Sequence, residues 1–354
     1  MPQYDKNIPV LDHHCHVCFP QRVEDSVKDY IKLYEELGIY EAAILSCPPS
    51  SHNDTYMDKT ENLKVLYLKD KFPFPAYAYA SFDTHWDDPE KYAEFAKQML
   101  AIGYDGFKSM EQHPRCRKEF GKGLNHPSFA GFFHVLNDAG CPMVYHVGDP
   151  RNNWCQNTAD ASAVKSGRVY GPDFLSLDEL YSETEEVIAK YPRINFVLAH
   201  FYFTSDNYDR ACALMEKYPN MHFDLAPGGE MFVNFSKDPE KWREFFIRYR
   251  TRILMGGDHY PMGYARPRYN LARDFLEGTE PTEYRGDPVL PISLPRNVLD
   301  DIYWNNAHRL AGKPKTINRK LAYEYGRSIQ EHLADQLSEL GKENLQTIMA
   351  HFAD

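Results

Sequence analysis

Two histidines near the start of the chain are spaced so that both could bind one metal ion. They occur in the segment Asp12-His13-His14-Cys15-His16, which follows a short apolar run. Alternate residues of a strand face the same side, so a strand here would direct His14 and His16 to one side. Neutral imidazole is a common ligand of divalent transition metals. Taken alone, the pair fits a metal site and two ordinary histidines about equally well.

Three later apolar runs each end in a histidine or an aspartate. These residues are His146, His200 and Asp258. A single histidine at the end of a strand is more often a hydrogen-bonded core residue than a ligand. Several such groups buried together without a cation would need other polar partners. We therefore predict that the three residues join His14 and His16 around one divalent cation.

Short apolar runs alternate with amphipathic segments along most of the chain, which is typical of βα units around a parallel sheet. The candidate strands are Val10–Asp12, Ala42–Leu45, Ala76–Tyr79, Gly106–Lys108, Met143–His146, Phe196–His200, His222–Leu225 and Ile253–Gly256. The amphipathic segments include Glu24–Leu37, Pro89–Ile102, Leu177–Lys190 and Tyr208–Tyr218. Eight strands with intervening helices predict a (β/α)8 TIM barrel, in which active sites lie at the carboxyl ends of the strands.

Two long segments interrupt this alternation of apolar runs and amphipathic segments. They run from Gly148 to Ser176 after the fifth strand and from His259 to Pro295 after the eighth, and both are rich in Gly, Pro, Asn and Arg. We expect both to be rim loops that cover the substrate. We also expect one barrel domain over residues 1–312. Residues 313–354 should form a helical extension, packed on the barrel or on a partner subunit of a homo-oligomer.

The composition excludes several classes of protein. The formal charge is −11 without a basic stripe, which argues against nucleic-acid binding. The first residues lack a basic region followed by a long apolar stretch, and the sequence contains no run of about 18 apolar residues, so we expect no signal peptide and no membrane-spanning helix. We therefore expect a cytoplasmic protein that does not bind membranes.

Other features of the composition leave alternatives open. Seven scattered cysteines fit reduced thiols better than disulfides, and Cys15 and Cys18 form an isolated CxxC without a second pair at zinc-ribbon spacing. The 25 Tyr and 21 Phe residues suit either a pocket for a ring-containing substrate or large core layers.

Together these motifs resemble those of the amidohydrolase superfamily, in the amidohydrolase-related (amidohydrolase 2) branch of hydrolases, lactonases and decarboxylases. The resemblance runs from Asp12 to about Leu310. Besides the residues above, it rests on Gly106-Phe107-Lys108, on Gly257-Asp258-His259-Tyr260-Pro261 and on the closing segment Trp304-Asn305-Asn306-Ala307-His308-Arg309-Leu310.

The resemblance implies a role for each candidate residue. His14, His16 and His146 would be metal ligands, and Asp258 would be both a ligand and the proton acceptor from a metal-bound water. His200 would bind the metal or orient the reacting group. Zinc is expected first from the ligand types, with manganese or iron as alternatives.

Lys108 has three possible roles. In binuclear relatives the lysine at this position is carboxylated and bridges two metals, whereas in mononuclear members it meets the substrate. It could also be an ordinary lysine paired at the barrel rim. We favour one metal ion, with Lys108 at the pocket.

Recognition of the substrate is less well specified. In the first long segment Arg151 follows His146 most closely and could pair with a substrate carboxylate, whereas Asp149, Trp154, Arg168 and Tyr170, together with Arg266 and Arg268, fit loop contacts as well. We expect a small organic substrate, and an aromatic or carboxylated compound would suit these residues.

The same ligand set allows different functions. The prediction placed first is hydrolysis of an amide, ester or lactone by metal-activated water. The alternative is non-oxidative decarboxylation of an aromatic or unsaturated acid. A binding module with an incidental metal is a third possibility, which the full ligand set disfavours.

Overall fold

Eight parallel strands form one sheet in which each strand pairs with the next along the chain. The computed structural model describes residues 8–17, 21–47, 59–82, 86–228, 230–258 and 265–353. The strands are β1 Val10–His16, β2 Ile39–Leu45, β3 Ala76–Ala80, β4 Gly106–Gln112, β5 Met143–Val147, β6 Phe196–Leu198, β7 Met221–Asp224 and β8 Ile253–Leu254. This order confirms the predicted (β/α)8 barrel.

The sheet closes where β1 meets the residues that follow β8. The backbone N–H of His13 donates to the carbonyl of Met255 at 3.0 Å, and the N–H of Asp258 donates to the carbonyl of His14 at 2.7 Å. Gly256 permits this approach, because a Cβ at that position would lie 2.8 Å from the Cβ of His14. Barrel closure therefore brings the His-x-His segment beside Asp258.

Helices follow most of the strands and cover the barrel. In the described part of the chain they are α1 Val23–Leu37, α2 Glu61–Lys71, α3 Pro89–Ile102, α4 Pro114–Phe120, α5 Ala130–Ala139, α6 Ala161–Lys165, α7 Leu177–Lys190, α8 Tyr208–Lys217, α9 Glu230–Phe235, α10 Pro239–Arg248, α11 Ala265–Glu277, α12 Arg296–Asp300, α13 Asn306–Ala311, α14 Arg319–Leu333 and α15 Glu339–Ala353. The bounds predicted for α3 and α7 agree with those observed.

Apolar side chains fill both the barrel interior and the layer between strands and helices. Interior residues include Leu11, Tyr79, Val144, Val197 and Leu254. The end of the barrel opposite the candidate site is covered by α13 and the residues before it. There the Asn306 side-chain amide donates to the carbonyls of Arg250 at 2.6 Å and Ile253 at 2.7 Å.

Two predicted segments differ from the structure. The sixth strand ends at Leu198, and Ala199–Phe203 form a separate turn instead of continuing the strand to His200. The segment after the eighth strand is more than a loop, because it contains α11 and the antiparallel pair β9 Thr282–Tyr284 and β10 Asp287–Val289. Phe275 of α11 is buried and packs on Phe232 with ring centroids 5.2 Å apart, which explains the order of this helix.

The last two helices pack on the outside of the barrel. Asp70 of α2 binds Arg319 at 3.0 Å and His351 at 2.6 Å. The boundary between a barrel domain at 1–312 and an extension at 313–354 stays a prediction. None of the helices in the described ranges is both long and apolar enough to cross a bilayer. Cys18 and His259–Pro261, which entered the sequence-based predictions, lie outside the described residues.

Candidate metal centre

His14 and His16 project from β1 with their Nε2 atoms 3.0 Å apart. The other nitrogen of each ring is anchored by an acceptor. The His14 Nδ1–H donates to Asp224 Oδ2 at 2.7 Å, and the His16 Nδ1–H donates to the carbonyl of Leu45 at 3.1 Å. Because each Nδ1 carries the proton, both Nε2 atoms present lone pairs to each other.

Asp12 holds this part of β1 against the end of β8. Its Oδ1 accepts the backbone N–H groups of His14 at 3.0 Å and Gly257 at 2.8 Å. Its Oδ2 accepts the hydroxyl of Tyr34 at 3.2 Å. Asp12 is fully buried, so these bonds replace the water that the carboxylate loses on folding. The carboxylate thereby fixes the position of the His-x-His segment.

His146 and His200 form a second imidazole pair, with His146 Nδ1 and His200 Nε2 3.1 Å apart. Here too the outer nitrogens are anchored. The His146 Nε2–H donates to the carbonyl of Gly148 at 3.2 Å, and the His200 Nδ1–H donates to that of Ala226 at 2.9 Å. The ring centroids of His14 and His200 lie 5.6 Å apart, so the two pairs share one site.

An unusual turn carries His200. His200, Phe201, Tyr202 and Phe203 all have positive φ angles, between 48° and 57°, which place four consecutive non-glycine residues in the left-handed region. Each such residue costs roughly 1–2 kcal/mol. The Tyr181 hydroxyl donates to the carbonyl of Tyr202 at 2.9 Å and so holds the turn. The Phe203 ring packs on both His146 and His200, at centroid distances of 5.8 and 5.3 Å.

Asp258 completes the group from the end of β8. Its Oδ1 lies 3.5 Å from His16 Nε2 and 3.8 Å from His14 Nε2, and its Oδ2 lies 3.9 Å from Arg268 Nη1. The side chain is 20% exposed, whereas that of His14 is fully buried. Asp258 is therefore accessible to water, as is the partly buried His146.

The donor set fits a divalent cation. All four imidazoles hold their protons on the outer nitrogens and turn lone pairs inward, in two pairs about 3 Å apart. Facing lone pairs repel one another unless a cation lies between them, and outer anchors of this kind are typical of metal-binding histidines. Burial lowers the pKa of His14 and of His146 well below the usual value, which keeps both rings in the neutral form that binds metals. His14, His16 and Asp258 have ligand atoms within 4.8 Å of one another.

Lys108 lies inside the same site. It is fully buried at β4, and its Nζ is 3.4 Å from His14 Nε2. This position is compatible with either a contact to the substrate or a bridge between metals. Its role stays a prediction.

Arg151 does not join this group. It is 45% exposed, and its Nη2 lies 3.2 Å from Asp178 Oδ1. It lines a cavity of about 160 Å³ together with Phe203 and Lys237. Phe203, which also lines this cavity, packs on His146 and His200. The predicted contact of Arg151 with the substrate stays a prediction.

Asp224 was not predicted as a site residue, although it belongs to a predicted strand. Asp224 Oδ2 anchors His14, and its Oδ1 accepts the N–H of His200 at 2.8 Å. The available signal was the one that identified Asp258, a carboxylate where an apolar run ends. Asp12 and His113 were also not selected. His113 lies beside His146 at a ring-centroid distance of 5.4 Å.

Comparison with known proteins identifies the family. The sequence profile of the family described as "Amidohydrolase" (Amidohydro_2) matches residues 74–312. The chain belongs to this family. The match confirms the resemblance drawn from the strand-end motifs, and no curated protein sequence matches.

Solved structures share the fold at low sequence identity. The 4-oxalomesaconate hydratase of Rhodopseudomonas palustris is 12% identical with a TM-score of 0.54, over 92% of this chain and 99% of that one. A probable 2-pyrone-4,6-dicarboxylic acid hydrolase of Acinetobacter baumannii is 12% identical with a TM-score of 0.51, over 86% and 99%. The 2,6-dihydroxybenzoate decarboxylase of Rhizobium is 16% identical with a TM-score of 0.50, over 85% and 97%. At these identities the likeness establishes the fold alone.

Proposed function

We propose that the protein is a metal-dependent hydrolase that cleaves an amide, ester or lactone bond of a small organic substrate. The observation that carries this proposal is the convergence of anchored imidazoles on Asp258, the carboxylate open to water. A divalent cation bound by these side chains, zinc first among the candidates, supplies Lewis acidity that activates water and polarises a carbonyl group.

Three side chains of the site have separate roles in this reaction. Asp258 accepts the proton of the attacking water and passes it to the leaving group. His200 acts as a ligand, because its Nδ1–H is committed to the carbonyl of Ala226 and its Nε2 offers only a lone pair. The ammonium of Lys108, 3.4 Å from His14 Nε2, can donate to the oxygen on which charge develops.

Decarboxylation of an aromatic or unsaturated acid is the second candidate, and the position of Arg268 favours it. The guanidinium is 38% exposed and lies 3.9 Å from Asp258 Oδ2, where it can hold a substrate carboxylate. In this reaction the bond between carbon and the carboxylate breaks, its electron pair stays on carbon, and protonated Asp258 delivers a proton to that carbon.

A substrate panel distinguishes the two reactions. Zinc-loaded protein is incubated with N-acetyl amino acids, γ- and δ-lactones and hydroxybenzoates, while released acid is titrated and carbon dioxide is measured. Hydrolysis of an N-acetyl compound or lactone is expected. Carbon dioxide release from a hydroxybenzoate without any hydrolysis would overturn the hydrolase proposal in favour of the decarboxylase.

Asp258→Asn tests the assigned base on whichever compound is turned over. We expect turnover to fall by about 100-fold or more, because an amide cannot accept the proton, while bound zinc falls much less. Asp209→Asn is the matched control, since Asp209 is 93% exposed and its ion-pair partner is Lys241 on α10. Wild-type turnover in Asp258→Asn would remove the carboxylate from the mechanism.

A further inference from the structure

His113 lies beside the candidate metal centre without belonging to its ligand set. It immediately precedes α4, and its ring is tilted by 56° against that of His146 at a centroid distance of 5.4 Å. Its side chain is 13% exposed. The ring therefore borders both the candidate ligands and the open side of the site.

One edge of the His113 ring is held by a buried carboxylate. His113 Nε2 lies 3.5 Å from Asp149 Oδ2, and Asp149 is 3% exposed. The same oxygen accepts the hydroxyl of Tyr170, whose ring also meets that of His113 edge-on. A carboxylate facing Nε2 fixes the ring orientation and keeps the proton on that nitrogen.

The other edge of the ring is uncommitted. With Nε2 protonated, Nδ1 carries a lone pair, and across the described residues it has no hydrogen-bond partner. A histidine oriented by a carboxylate on one nitrogen presents the other as a directed acceptor. This acceptor is part of a ring that packs against the candidate ligand His146.

The contact of His113 with Asp149 and Tyr170 also connects the segment between β5 and α7 to the candidate metal centre. The backbone N–H of Tyr170 donates to the carbonyl of Asn153 at 2.8 Å, and the Tyr170 ring packs on that of Trp154 at 4.8 Å. The segment between β5 and α7 thus supplies Tyr170, which together with Asp149 orients His113. A histidine placed only for packing would not require a buried carboxylate that is itself held by a buried tyrosine.

We propose that His113 contacts the substrate and accepts a hydrogen bond from a substrate hydroxyl or N–H group near the reacting carbon. This proposal rests on the proposed function and extends it to recognition of the substrate. Asp149 and Tyr170 are its positioning residues. A second metal ion on His113, His146 and Asp149 is less compatible with the contacts. His146 Nε2–H already donates to Gly148, and Asp149 already accepts Tyr170.

Equilibrium binding tests the proposal without turnover. Zinc-loaded protein is titrated calorimetrically with benzoate and with 2-, 3- and 4-hydroxybenzoate. We expect at least one hydroxybenzoate to bind about fivefold more tightly than benzoate, as one added hydrogen bond allows. His113→Phe keeps a ring against His146 but has no acceptor, so it should abolish that advantage. Tyr170→Phe keeps the packing of the ring but removes the hydroxyl that holds Asp149, so it should reduce the affinity advantage of the hydroxybenzoate by about half.

Matched controls and zinc content make the outcomes decisive. The controls are His134→Phe and Tyr191→Phe. His134 is exposed on α5, and its ring contacts that of Tyr191. Both variants should still bind the hydroxybenzoate more tightly than benzoate, to the same extent as wild type. The proposal is overturned if no hydroxybenzoate binds more tightly than benzoate, or if the advantage persists in His113→Phe. It is also overturned if His113→Phe loses zinc, since His113 would then be a ligand. Failure of the proposed function is distinct, because wild-type protein would then bind no zinc or hydrolyse no compound of the panel.

Discussion

At the scale of single residues, the site is defined by where each imidazole holds its proton. His14 is the clearest case, because its Nδ1–H is bound by Asp224 and its Nε2 faces His16. Fixing the tautomer in this way removes the rotational freedom of the ring and raises its basicity toward a metal. The acceptors around the rings are therefore as important to the site as the rings themselves.

Asp224→Asn tests this anchoring. The amide loses the charge that supports His14 and also disturbs the bond from the N–H of His200, so we expect zinc affinity to fall about 10- to 100-fold while the fold persists. Affinity is measured by competition with a chelator, and Asp209→Asn serves as the control. Unchanged affinity would show that Asp224 does not support the ligands.

The position of a residue at the end of a predicted strand identified the candidate ligands. It did not identify the residues that hydrogen-bond to those ligands. His146 and Asp258 were recognisable because each ends an apolar run. The pairing of Asp224 with His14 joins residues 210 positions apart, and nothing in either local sequence specifies it. Likewise, the contact between His113 and Asp149 depends on how two neighbouring loops meet above β4 and β5.

At the scale of elements, the left-handed turn after β6 is the feature that departs most from local preference. Aromatic residues such as Phe201 and Tyr202 disfavour positive φ. The sequence predicted a strand through His200 because the apolar run continues to Ala199. In the structure, the buried ring of Phe201 stacks on Phe246 and packs on Phe223 at a centroid distance of 4.5 Å. Packing therefore offsets the backbone strain and aims His200 into the site.

Tyr181→Phe tests the support of this turn. The variant keeps the ring packing but removes the hydroxyl that donates to the carbonyl of Tyr202. We expect the free energy of unfolding to fall by about 1–2 kcal/mol and zinc affinity to fall with it, because the turn carries His200. Urea denaturation and chelator competition measure the two effects, with Tyr191→Phe as control. Wild-type values for both would contradict the proposed coupling.

At the scale of the whole molecule, segments that are far apart in sequence satisfy each other's hydrogen bonds. The alternation of apolar and amphipathic segments was sufficient to predict the barrel, since only the count and order of βα units matter for that prediction. The attachment of the last helices was not predictable in detail. Asn344 of α15 accepts the N–H of Val23 at 2.9 Å and so caps α1, whose N-cap residue Arg22 provides no side-chain bond.

Asn344→Ala tests this long-range cap. Loss of the amide leaves a buried N–H of Val23 without an acceptor, so we expect stability to fall by about 1–3 kcal/mol. Zinc affinity should not change, because α15 packs on α2 and α14 at the outside of the barrel. Chemical denaturation measures the loss against exposed Asn157→Ala. Stability equal to that of wild type would show that the cap is dispensable.

The central prediction for the molecule is that one divalent cation is held by His14, His16, His146, His200 and Asp258. Its most direct test is elemental analysis of zinc-reconstituted protein after dialysis, for wild type and for His14→Ala. We predict one zinc ion per chain in the wild type and a large loss of zinc in the variant. No retained ion in the wild type, two ions per chain, or full zinc content in His14→Ala would contradict it.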